Sequence, residues 1–210
     1  MCTVSSHAGY RVTVAAGQWD RRQTVVTFAL PETVRGASAL RDSDGHTLPL
    51  QLAAGGQASF ILPELPHGST KTYQLVTIQP TDQPAGADGV QAKREGAVLK
   101  INVAGRQVLG YQAEKGELPR PDIKPMFLRG GFIHPILSPS GKLVSDSYPP
   151  NQLHHHGLWM AWTKTEFEGR HPDFWNMGEG KGTVEFVGLD ETWSGPVFGG
   201  FRSRHRFVDL

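Results

Sequence analysis

The sequence predicts an all-β chain built as an antiparallel β-sandwich. Three observations carry that expectation. Gly 25 and Pro 15 make about a fifth of the 210 residues, too much punctuation for long helices. Short apolar runs alternate with polar residues at period two, and no segment keeps a sustained helical period. Turn dipeptides and Pro-rich breaks separate those runs at short intervals.

The elements follow in order. Tyr10, Val12 and Val14 alternate with polar neighbours, a glycine turn follows, and Val26, Phe28 and Leu30 form the return strand before Pro31. Asp44-Gly45 is a strong hairpin dipeptide between the apolar ends of Ala39–Leu52. Phe60–Leu62 and Tyr73–Ile78 read as further strands. The polar stretch Gln79–Gly89 reads as a loop or linker, dividing an N-terminal β region (1–80) from a sandwich region (90–210). Ala97–Val103 and Gln107–Tyr111 continue the strand pattern, and the Pro-rich 115–125 runs extended. Phe132–Leu137 precedes the turn Ser138-Pro139-Ser140-Gly141. Gly182–Val187 and Phe198–Leu210 are strands, the last placing Phe201, Ser203, His205 and Phe207 on one face. One short helix is expected near Leu158–Phe167. The ending R-H-R-F-V-D-L stops in mid-strand, as in a fragment of a larger β-domain.

Composition excludes several function classes. Lys+Arg 21 against Asp+Glu 20 leaves a formal charge of +1, with no basic face for nucleic acid. The single cysteine, Cys2, rules out an internal disulfide and a cysteine-rich zinc site. No apolar run nears the roughly 20 residues that span a bilayer, and no apolar signal core opens the chain. A cytoplasmic protein is the expectation. There is no G-x-S-x-G elbow, and no phosphate-cradling glycine loop precedes a helix.

Chemistry concentrates between His134 and Asn176. This stretch holds His134, His154, His155, His156 and His171, five of the nine histidines, interleaved with Trp159, Trp162 and Trp175. Three consecutive imidazoles pack poorly into a core, and each needs a hydrogen-bond partner or a metal. On an extended chain His154 and His156 would share one face, their side-chain bases about 6–7 Å apart. A third ligand such as His134 or His171 would then complete a site for zinc or another divalent transition metal. The metal-free reading, which is preferred, makes His154, His156 or His134 a general acid or base. Glu166 or Asp173 is then the partner carboxylate. Trp159, Trp162 and Trp175 supply a sugar platform, with Asn176, His155 and His171 as further substrate contacts. No cofactor is expected on this reading. The cupin pattern of strand His-x-His fails, since Met160 and Ala161 stand where its glutamate would be.

The runs F-I-H-P-I-L-S-P-S-G-K-L-V-S-D-S-Y-P-P-N-Q-L-H-H-H-G-L-W-M-A-W, D-F-W-N-M-G and G-P-V-F-G-G-F resemble the bacterial PmoA-like family. The resemblance extends back to W-D-R-R and L-R-D-S-D-G-H-T-L-P-L-Q, and so covers nearly the whole chain. It implies a C-terminal truncation, since members run on for roughly another hundred residues of β-structure. The family label borrows from a membrane subunit of long apolar helices, which this chain lacks, so it implies no oxygenase function. In layout the family is similar to galactose-mutarotase-like supersandwiches, where a histidine and a carboxylate move protons on a sugar without a metal. That resemblance implies a carbohydrate ligand or substrate and an epimerase, lyase or hydrolase chemistry. A non-catalytic carbohydrate-binding or scaffold domain is the alternative.

Overall fold

Among the described residues, fifteen strands and four short 3-10 turns form the regular structure, with no α-helix. The computed structural model describes residues 2–5, 9–34, 36–78 and 89–210. The all-β expectation holds. The loop expected at Gln79–Gly89 lies almost wholly outside the described residues. The chain divides into two units, Met1–Val90 with Gly195–Phe198, and Gln91–Ser194 with Gly199–Leu210.

In the first unit, one sheet runs in the order β1 (Cys2–Ser5), β2 (Arg11–Ala15), β8 (Thr70–Val76), β4 (Ala39–Arg41), β5 (Thr47–Pro49). A second sheet orders β3 (Arg21–Ala29), β7 (Gln57–Leu65) and β6 (Gln51–Ala53). The period-two pattern delivers Val12, Val14, Leu40, Tyr73 and Leu75 from the first sheet to a common core with Phe28, Phe60 and Leu62 from the second. Phe60 meets Tyr73 edge-on at 5.6 Å. The Asp44-Gly45 dipeptide turns β4 into β5 as expected, Gly45 taking φ +86.

The second unit pairs β9 (Val90–Glu95), β10 (Val98–Val103), β11 (Arg106–Gln112), β12 (Phe132–Ile136) and β13 (Leu158–Trp159) in one antiparallel sheet. The two longest neighbours, β14 (Gly182–Trp193) and β15 (Gly200–Asp209), form another. Along β15, Arg202, Arg204 and Arg206 face solvent while Phe201, Ser203, His205 and Phe207 are half-buried. Tyr111 of β11 stacks on Phe201 at 4.4 Å, and its hydroxyl meets Ser203 Oγ at 2.7 Å. These contacts join the two sheets into a sandwich.

The helix expected near Leu158–Phe167 does not form. Leu158 and Trp159 pair instead with Ile133 and Phe132 of β12. Gly157 makes that approach possible: a Cβ there would stand 2.2 Å from the Ile133 carbonyl oxygen. Ladder bonds to β12 outweigh the weak local helix preference, and residues 160–166 run irregularly.

Candidate functional site

A cavity of about 280 Å³ opens in the second unit, lined by Gln112 of β11, Phe132 and His134 of β12, and Arg129, Ser147 and Tyr148 from the connecting segments, with Glu114 and Glu117 also on its wall. Gly130-Gly131 admits the chain here. A Cβ on Gly130 would stand 2.3 Å from the Ala113 carbonyl oxygen, and Gly131 takes φ +78 beside the His205 ring. Bulkier residues would push Arg129 off the sheet.

His134 is held from two sides. Its Nδ1 lies 2.9 Å from Ser145 Oγ, and that oxygen also accepts the Ile136 backbone N–H at 2.9 Å. The Gln112 side-chain amide donates to the His134 carbonyl at 2.7 Å. Partial burial lowers the His134 pKa below 6.5, against a smaller raising effect from Asp146. The imidazole is therefore neutral near pH 7, with Nδ1 engaged and Nε2 left to other partners.

Arg129 is 2% exposed. Its Nε donates to the Gly130 carbonyl at 3.1 Å and its Nη1 to the Phe174 carbonyl at 3.4 Å. Desolvation pulls its pKa from 12.5 to about 10, and it stays charged at neutral pH. Burial raises the Tyr111 and Tyr148 phenols above their ordinary value, so both keep their protons. His205 Nε2 meets the Tyr111 hydroxyl at 2.5 Å, and burial together with the Arg129 charge lowers its pKa.

The histidine run lies on a loop and not on a strand. His154 lies in a turn, and His155 and His156 in the irregular stretch before β13. His154 sets its ring edge-on to His155 and to Trp175, while His155 lies 5.5 Å from Trp159. His156 turns inward instead: 3% exposed, it stacks on Phe132 at 4.4 Å and meets Tyr148 edge-on at 4.6 Å. Its Nδ1 is 3.2 Å from Ser147 Oγ. Burial, then the nearby Arg129 charge, drive its pKa down to about 3. So His156 is a neutral ring packed behind Phe132 and Tyr148 of the cavity wall. Desolvation also lowers His154, with His155 adding to it and Asp173 opposing it.

The Nε2 atoms of His154, His155 and His156 and the Nε1 of Trp159 are buried without a protein hydrogen-bond partner. Such atoms call for an ordered water or a ligand. The alternative metal set, His134, His154 and His156, does not close around a common point. A metal bound at about 2.0–2.1 Å gathers its donors tightly. Among the described residues the group of histidine, cysteine or acidic side chains that closes to that degree is Asp42, Asp44 and His46, not His134, His154 and His156.

The remaining expected residues fall elsewhere. Glu166 and Trp162 line a different cavity, of about 350 Å³, with Phe174 and Phe207. Asp173 Oδ1 accepts the backbone N–H groups of Trp175 and Asn176 at 2.8 and 3.2 Å. Asn176 in turn caps the 3-10 turn Met177–Glu179 by accepting from Gly178. His171 is exposed, its Nδ1 3.1 Å from the Thr165 carbonyl oxygen. Asp173, Asn176 and His171 thus fasten loops. Sequence reasoning passed over Arg129, Tyr111, Tyr148 and His205. The available signal was a single charge inside the apolar run F-L-R-G-G-F-I.

No curated protein and no solved structure matches the chain. The model of one family, described as a family of unknown function (DUF6807), matches residues 98–210, which takes in β10 to β15, the cavity and the histidine run. The chain belongs to that family.

Proposed function

We propose that the protein is a carbohydrate-active enzyme that moves a proton on a sugar or sugar acid, as an epimerase, lyase or hydrolase, with His134 as acid or base. The observation that carries this reading is His134 on the cavity wall, neutral, its Nδ1 held by Ser145. In the tautomer whose Nδ1–H donates to the serine, Nε2 carries the lone pair and accepts a proton; in the other tautomer Nε2 donates one. Tyr148, kept protonated by burial, lines the same cavity as a hydroxyl donor. Phe132 and Tyr148 offer flat apolar surface to the C–H face of a ring, and Gln112, with its Nε2 engaged, offers a side-chain carbonyl. The volume stands near the lower end of the ~300–1,000 Å³ typical of small-molecule sites, and so suits a ligand of one ring. The resemblance to mutarotase-like sandwiches agrees with this chemistry at the level of fold.

The test is turnover on a panel of sugars and sugar acids by the wild type and by His134→Asn. A rate loss of about 10²–10⁴-fold, with ligand affinity kept, is the expected result for removal of a general acid or base. Bound ligand with no turnover on any member of the panel would instead make the protein a carbohydrate-binding domain.

A further inference from the structure

We propose that the ligand of this cavity is a sugar acid, and that the Arg129 guanidinium receives its carboxylate. The inference rests on the carbohydrate reading above and narrows it to a charged substrate class. Among the described residues, arginines that meet a carboxylate do so with partly or largely exposed side chains: Arg94 with Glu114, Arg120 with Asp122, Arg170 with Asp209, Arg202 with Glu191 and Arg204 with Asp190. The buried arginine does the opposite. Among the described residues Arg129 forms no ion pair, and the partners of its side-chain N–H groups are two neutral carbonyls.

A guanidinium carries five N–H donors in a planar fork, and burying one without a counter-charge costs several kcal/mol. Among the described residues nothing around Arg129 supplies that charge. The phenols of Tyr111 and Tyr148 remain neutral, and so do the imidazoles of His156 and His205. The carboxylates on the cavity wall are Glu114, which is engaged by Arg94, and Glu117, which is exposed. A cation held this way in a cavity of ligand size is complementary to an anion that arrives with the ligand. The fork matches both oxygens of a carboxylate, and a single positive charge balances its single negative one.

The placement has a chemical consequence. With the carboxylate on Arg129, His134 Nε2 takes the proton from the carbon next to it. The C–H electron pair moves into the carboxylate, where the fixed positive charge opposes the charge that develops. Return of a proton to that carbon gives the starting sugar acid or its epimer, and atoms and charge balance without a further reactant.

Calorimetric titration of the full chain tests this with D-glucuronate, D-galacturonate and D-mannuronate against D-glucose, D-galactose, D-mannose and glucose 6-phosphate. The expected result is that at least one uronate binds about 10- to 100-fold more tightly than its neutral counterpart, the range a charge-assisted pair supplies. Arg129→Lys should keep part of that preference and Arg129→Met should lose it. The wild-type comparison needs no variant, so misfolding of either substitution leaves the test intact. Equal affinity for acids and neutral sugars, preference for the phosphate ester, or no uronate binding would overturn the inference. Turnover of neutral sugars with no uronate bound would overturn it while the carbohydrate reading stood. Uronate binding that depends on Arg129, without turnover of any sugar, would support it and remove the enzymatic reading.

Discussion

Stacked on Phe132 and sealed from solvent, His156 has a pKa of about 3 against an ordinary 6.5. Between those values the unfolded chain binds a proton that the folded chain refuses. Folding stability from this residue is therefore present above about pH 6.5 and falls as the pH drops, by on the order of 1.4 kcal/mol per unit. His154 and His205 are shifted the same way and add to the slope. Urea unfolding at pH 7 and pH 5 should show a clear loss for the wild type. His156→Phe, close in volume and without a charge to titrate, should show a smaller one; an unchanged difference would mean that His156 is not buried as described. His134 carries the opposite consequence for catalysis. Because its pKa lies below 6.5, activity that uses it as a base should persist below pH 6.5 and fall only at lower pH, as a pH–rate profile would show.

Among the elements, β13 is two residues long and depends on the close passage of Gly157 over β12. Gly157→Ala should cost about 1–3 kcal/mol by overpacking against the Ile133 carbonyl. For a chain of this size that lowers the thermal midpoint by about 2–4 °C per kcal/mol. Hydrogen exchange should quicken at Leu158 and Trp159, and no change there would contradict the pairing. The first unit has a separate sensitive point. Phe60, fully buried between Phe28 and Tyr73, should cost about 3–5 kcal/mol when changed to Ala, read from denaturant unfolding.

For the molecule as a whole, far-UV circular dichroism should show strand with no helical signature. That much was legible in the sequence because a half-buried strand writes its two faces into alternate residues. Val12 and Val14, or Phe201, Ser203, His205 and Phe207, are examples that no distant contact needs to explain. The misread helix at Leu158–Phe167 failed for the reverse reason: β12, some 25 residues away, fixes that segment. Pattern singled out His134, and the fold sets it on a cavity wall with Ser145. It did not single out Arg129, whose importance lies in what surrounds it. Its acceptor at Phe174 and its neighbours Tyr111, Tyr148 and His205 come from segments scattered along the second half of the chain. Nor did the triple histidine reveal that one ring would turn inward, because a turn at Leu153-His154 removes the two-residue alternation of an extended chain.

Proton transfer by His134 on a ligand in this cavity can be read by nuclear magnetic resonance of uronates incubated with the protein in deuterium oxide. Solvent deuterium should enter the carbon beside the carboxylate with the wild type, and the exchange should be lost with His134→Asn. A bound uronate that keeps its proton with the wild type, or exchange that persists undiminished in His134→Asn, would contradict it.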